Sequence, residues 1–141
     1  MKVDFINSHY KRTWQRYKKE FFEAVDKMGS EGQWLLGEEM KKFEENFAKF
    51  VGTKYCVALS SGHHAIYLAL KALGIKGNVA LPSYTFKATC AAVLDAGAKP
   101  VLYDLIEVEE LKDLDAHIRV GIAGELSYHH FESKYLIDDA C

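Results

Sequence analysis

Ser60-Ser61-Gly62-His63-His64-Ala65-Ile66 stands between a short apolar run, residues 55–59, and an apolar helical pattern over residues 65–73 that ends at Gly74. Its reading decides the fold, because a glycine turn between strand and helix begins an alternating pattern. A strand is expected over residues 79–81, stopped by Pro82. A helix follows over residues 85–96, ended by Gly97, and then a strand over residues 100–103, closed by Asp104. Strands and helices alternating at these lengths predict an α/β fold, a mostly parallel sheet with helices on both faces. Past Asp104 the pattern weakens. Residues 107–115 are acidic and read as a solvated helix or loop. Residues 117–123 read as a strand ended by Gly124. Residues 127–133 are polar and short for a crossover helix, and residues 135–137 read as a last strand with Asp138 and Asp139 just past it.

Ahead of the turn, Trp14, Tyr17, Phe21, Val25 and Met28 step by three and four, one apolar face of a helix over residues 9–28 that ends near Gly29. The loop Gly32-Gln33-Trp34-Leu35-Leu36-Gly37 follows. Met40, Phe43, Phe47 and Phe50 mark a second helix closed by Gly52. The expected organisation is therefore an N-terminal helical segment, residues 1–52, leading into a partial α/β domain, residues 53–141, as one structural unit. Trp34 and Leu35 read equally as a pocket wall or partner surface and as side chains pinned on their own core.

The 141 residues suffice for a core, and 49% hydrophobic with 27% charged is the composition of a globular chain. A net charge of −2 gives no electrostatic case for nucleic acid or an anionic membrane. No apolar run has the length of a membrane span, and the first residues lack the apolar region of a signal peptide. Cys56, Cys90 and Cys141 are odd in number and widely spaced, which argues against a disulfide framework and for a reducing, cytoplasmic setting. His63-His64 and His129-His130 have no Cys or His partners at ligand spacing, so no metal is expected.

Three places carry candidate chemistry. Gly62 brings backbone close to whatever lies before the helix, and the first helical amides there have no intrahelical partner. That is a site for an anion, most usefully a phosphate. Tyr84 and Phe86, in Pro82-Ser83-Tyr84-Thr85-Phe86, stand where the next strand ends, positioned to stack on a planar heterocycle or to serve as core aromatics of the following helix. Asp138 and Asp139 are adjacent and point to opposite sides of an extended strand, so one carboxylate is available to a protonated ring nitrogen, or both belong to a solvated chain end. All three fall at the carboxyl edge of a parallel sheet, where such sheets bind ligands.

The order of these signals resembles the N-terminal part of the DegT/StrS-type sugar aminotransferases, pyridoxal-phosphate (PLP) enzymes of the aspartate-aminotransferase fold. The loop Gly32 to Gly37 is similar to their Gly-x-Trp/Tyr-Ile/Leu-Leu-Gly. Phe43-Glu44-Glu45-Asn46-Phe47-Ala48 with Gly52 is similar to their Phe-Glu-x-x-Phe-Ala helix. Ser61 to Ile66 is similar to Ser-Gly-Thr-x-Ala-Leu. Pro82 to Thr89 matches Pro-Ser-x-Thr-Phe-x-Ala-Thr, and Ala96 to Val101 matches Ala-Gly-Ala-x-Pro-Val, with the aspartate at Asp104. Tyr135 to Ala140 is similar to Val-Ile-Glu-Asp-Ala.

The resemblance implies a truncated PLP-transferase large domain preceded by two helices. It implies that Ser61, Gly62 and His63 hold the PLP phosphate, that Phe86 stacks on the pyridine ring, and that Asp139 pairs with its nitrogen. Trp34 and Tyr84 fall on the substrate side. It implies a nucleotide-linked keto-sugar and an amino-acid donor, glutamate by expectation, as partners in a ping-pong transamination, and a homodimer. His63 departs from the family's threonine. The chain stops at Cys141, before the family's Schiff-base lysine segment. None of Lys76, Lys87, Lys99, Lys112 or Lys134 stands in the lysine motif, so no catalytic residue is assigned. The family's first strand pairs with a late one, which leaves residues 55–59 without their neighbour. A catalytically inactive relative, serving as a binding or dimerisation module, is the alternative expectation. A flavodoxin-like or Rossmann-like binder lacks its Gly-x-Gly-x-x-Gly turn here.

Overall fold

The computed structural model describes residues 5–104, 111–122, 125–126 and 132–139. The chain divides into two compact units, Met1–Ala58 and Leu59–Cys141.

The first unit holds α1 (Phe5–Glu31) and α2 (Glu38–Val51). The first helix runs past the expected stop at Gly29. It ends instead at Gly32, whose φ of 66° accompanies the bond from the Gln33 amide to the Met28 carbonyl, 3.1 Å. Trp14, Phe21 and Phe22 meet edge to face, with ring centroids 5.7 to 5.9 Å apart. Lys27 of α1 reaches Glu39 of α2, Nζ to Oε1 at 2.7 Å. The second helix closes as expected. Gly52 takes φ 80°, a left-handed conformation that glycine adopts without a Cβ penalty, and its amide bonds the Ala48 carbonyl.

The second unit is built from α3 (Gly62–Ala72), β1 (Asn78–Pro82), α4 (Lys87–Asp95), β2 (Lys99–Tyr103), β3 (Leu114–Ile122), β4 (Glu125–Leu126) and β5 (Ser133–Asp139). Four strands pair in parallel in the order β2-β1-β3-β5. The two-residue β4 adds an antiparallel step at Gly121 and Ile122. Register sets Ala80 between Val101 and His117, and Ile118 beside Ile137. This is the mostly parallel sheet with helices that the sequence predicts. Between Asn78 and Val79 the ladder to β3 slips, and there the Gly77 amide donates to Asp115 Oδ2, 2.9 Å.

Strand alternation puts Val79, Leu81, Ala116, Ile118 and Val120 in one cluster with Ile66 and Leu70 of α3 and Ala92 and Val93 of α4. Removing each such large side chain from water contributes about 1.5–3 kcal/mol. The opposite side of the same strands buries Ala80, Tyr103 and Leu114 together. His117 lies there too, its Nε2 3.0 Å from the Tyr103 hydroxyl.

Several expectations need correction. Residues 55–59 join no ladder among the described residues, and Tyr55 and Val57 are exposed. An apolar run becomes a strand only where a neighbouring strand accepts its hydrogen bonds. Pro82 ends β1 from within, since a final residue needs no further ladder amide. The third parallel strand starts at Leu114, inside the stretch read as an acidic loop, because alternate buried positions outweigh local charge. Asp138 and Asp139 lie within β5 rather than past it. The expectations for residues 105–110, 123–124 and 127–131, His129 and His130 included, fall outside the described residues, as do Ala140 and Cys141.

Candidate active site

Ser61 caps α3. Its backbone is extended and its Oγ accepts from the His64 amide at 3.2 Å, while its carbonyl accepts from the Ala65 amide at 3.0 Å. The amides of Gly62 and His63 have no acceptor among the described residues, as the first-turn positions of a helix dictate. Gly62 has no left-handed φ, so the turn does not demand glycine. A Cβ built there meets nothing within 4 Å. Gly62 thus lines the cleft without a side chain that would fill it.

The His63 ring ties this helix start to α4. Its Nδ1–H donates to the Ala88 carbonyl at 3.2 Å, and its Nε2 lies 3.0 Å from Asp95 Oδ2, so both ring nitrogens face acceptors. His64 turns to the Ser60 hydroxyl. Among the described residues no group of three His, Cys, Asp or Glu side chains could hold a metal ion.

Phe86 sits in the loop after β1, as the residue that caps α4 with its backbone in the extended region (φ −67°, ψ 137°). Its side chain is 70% exposed, far more than a core aromatic. Asp139 ends β5 on the side that faces the helices, and its Oδ2 accepts from Thr89 Oγ1 of α4 at 2.9 Å. Asp138 points the other way, to Arg119, as adjacent strand residues must. That guanidinium's hydrogen bonds hold the Asp138 carboxyl below the usual carboxylate range, against the smaller opposing effect of burial.

These pieces border one cleft of about 280 Å³, lined by Ser61, Gly62, His63, Ile66, Phe86, Ala88, Thr89 and Asp139. Gly62, Phe86 and Asp139 thus share a cavity at the carboxyl edge of the parallel sheet. A helix start with two unused amides forms one wall, an aromatic ring another, and a held carboxylate a third. Tyr84 is not brought into this cleft and stands 72% exposed beside it in sequence. Trp34 belongs to the first unit, where its ring edge packs within 3.2 Å of the position a Cβ would take on Gly29.

A model of the DegT/DnrJ/EryC1/StrS aminotransferase family matches residues 15–117. The chain belongs to the DegT/DnrJ/EryC1/StrS aminotransferase family. Among curated members, it is 36% identical over 91 residues to a dTDP-3-amino-3,6-dideoxy-alpha-D-galactopyranose transaminase of Aneurinibacillus thermoaerophilus, covering 63% of this chain and 25% of that one. It is 37% identical over 102 residues to a dTDP-3-amino-3,4,6-trideoxy-alpha-D-glucose transaminase of Streptomyces venezuelae, covering 71% and 26%. The chain spans about a quarter of the length of these relatives. Among solved structures, DesV of S. venezuelae in complex with a ketimine intermediate superposes with a TM-score of 0.70 at 30% identity, over 79% of this chain and 34% of that one. NtdA of Bacillus subtilis with bound cofactor PMP superposes with a TM-score of 0.74 at 23% identity, over 89% and 34%, a likeness of fold.

Within this DegT/DnrJ/EryC1/StrS chain, two site features escape sequence reading. Thr89 is almost fully buried, and a threonine among the small and apolar residues of this helix is the available signal. Asp95 and the Ala88 carbonyl engage His63 only through the packing of α3 on α4, and no local pattern marks that.

Proposed function

We propose that this chain carries the cofactor-binding front part of a PLP-dependent aminotransferase acting on a nucleotide-linked keto-sugar, in amino-sugar or polysaccharide biosynthesis. The observation that carries the reading is the meeting of the Gly62 and His63 amides, the Phe86 ring and the Asp139 carboxylate in one cleft. The residues fit the group. Two unused amides and the open space at Gly62 suit a phosphate, and the Phe86 ring suits a flat heterocycle. Asp139 suits the ring's nitrogen. When bound, pyridoxal phosphate supplies an electron sink for the carbanion that transamination requires.

The chain's own residues have separate tasks. Ser61 fixes the direction of the first amides of α3. Gly62 and His63 bind the phosphate through backbone hydrogen bonds. Phe86 orients the ring plane and shields it from water. Asp139 holds a proton on the ring nitrogen, since a carboxylate beside it favours the cationic form. Tyr84, and Trp34 of the first unit, are assigned to the sugar and nucleotide. A homodimer in the cytoplasm, using an amino-acid donor, completes the reading.

Titration of the purified chain with pyridoxamine 5′-phosphate, followed by its fluorescence, tests this. Saturable binding that is weakened in Phe86→Ala and Asp139→Asn is expected, with Trp34→Ala and Tyr84→Ala unaffected. Wild-type protein that binds neither this compound nor inorganic phosphate refutes the reading.

A further inference from the structure

Thr89 is the polar side chain most hidden beside the cleft, 2% exposed on the face of α4 that also carries Ala92 and Val93. A hydroxyl in such surroundings is destabilising unless it is hydrogen-bonded. Its bonding is ordered. Thr85 Oγ1 donates to Thr89 Oγ1 at 3.4 Å, and Thr89 Oγ1 donates its single proton to Asp139 Oδ2 at 2.9 Å. The second bond joins residues 50 apart in sequence, on two elements that meet only through folding. An aspartate at the end of a strand otherwise turns about two side-chain bonds.

We propose that Thr89 is a positioning residue: its hydroxyl holds Asp139 by Oδ2 and so presents the other carboxylate oxygen to a cationic N–H on a planar ring in the cleft. This rests on the reading of Asp139 as the partner of the ring nitrogen. Thr89 touches neither ring nor phosphate in this account and acts through Asp139 alone. Thr85 keeps the direction of the chain, because an oxygen that accepts from Thr85 keeps its own proton for the carboxylate.

The test is a double-mutant cycle on the full chain, with two probes. Pyridoxamine 5′-phosphate reports ring and phosphate together; inorganic phosphate reports the amides alone. Thr89→Val removes the hydroxyl at nearly constant shape, and Thr89→Ser keeps it. The expected result is about tenfold weaker pyridoxamine phosphate binding in Thr89→Val, the loss set by a hydrogen bond to a charged group. Phosphate binding stays unchanged, Thr89→Ser binds nearly as wild type, and Thr89→Val has no further effect in an Asp139→Asn background. The ¹⁵N shift of a labelled ring nitrogen should move toward the unprotonated position in Thr89→Val. If Thr89→Val does not fold by circular dichroism, Thr89→Cys, with only a weak S–H donor, replaces it in the cycle. Wild-type affinity in the hydroxyl-free variant, while Asp139→Asn is weakened, overturns the proposal and leaves the functional reading intact. Equal losses for both probes, or a loss that persists beside Asp139→Asn, make Thr89 a packing residue and overturn it too. Wild-type protein that binds phosphate with no gain from the ring overturns both.

Discussion

The Arg119 guanidinium grips both oxygens of Asp138, Nε to Oδ1 at 2.6 Å and Nη2 to Oδ2 at 2.8 Å. The next residue, Asp139, faces the cleft and meets Thr89 instead. One strand end therefore supplies a carboxylate held in an ion pair on one face and a carboxylate that lines the cleft on the other. The Arg119 hydrogen bonds lower the Asp138 pKa in the folded chain. A carboxyl lowered on folding adds stability above its unfolded pKa, and that stability is lost as pH falls through the folded value. Thermal unfolding of Asp138→Asn should thus begin at a lower temperature than wild type at neutral pH, and the gap should close in acid. It should also shrink in high salt, because the Asp138 side chain is 48% exposed. A gap that stays constant down to pH 2 means that the ion pair is not its source.

Gly62→Ala separates folding from binding. The position is helical, without a left-handed φ, and a Cβ there touches nothing. Alanine should leave stability unchanged or raise it by up to about 1 kcal/mol. The same methyl adds bulk to the cleft wall that Gly62 forms, so affinity for inorganic phosphate should fall at least tenfold. Unaltered phosphate affinity in a folded Gly62→Ala chain shows that an anion is held elsewhere.

Ser61 allows an inverse experiment. Ser61→Ala removes the bond from the His64 amide and should cost about 1 kcal/mol in chemical denaturation. Ser61→Asp keeps a capping oxygen and adds a charge that favours the helix start, so its stability should return. Its carboxylate then stands where an anion is expected, and phosphate binding should be lost. Recovery of both stability and binding in Ser61→Asp argues against an anion at this turn.

The sequence made the central segment legible because each element there carries its own punctuation. The helix expected over residues 65–73 is Gly62–Ala72, and that over residues 85–96 is Lys87–Asp95. Both give way at glycines, Gly74 and Gly97, whose positive φ values end helices locally. That Ser61, Gly62, His63, Phe86 and Asp139 line one cleft follows from similarly local signals, since each lies in a short motif. The contacts of Thr89, which ends one of those motifs, and of Asp95 were not legible, because they depend on which helix faces which element. Residues 55–59 failed for a related reason: their apolar pattern is local, but a ladder is not.

That failed strand gives the last prediction. Within residues 55–59 the Ala58 amide has a partner, Glu44 Oε1 of α2 at 2.8 Å, in a partly buried bond inside the first unit. The neighbouring side chains of Tyr55 and Val57 are 74% and 69% exposed, and no ladder covers their backbone. Native-state hydrogen exchange should therefore show fast exchange at Tyr55 and Val57, with Ala58, next after them, protected. Glu44→Ala should abolish that protection and leave exchange in β1 and β3 unchanged, because those amides answer to the sheet. Uniform slow exchange across residues 55–59 would mean that the segment pairs as a strand in solution, with a neighbour supplied from outside the described residues.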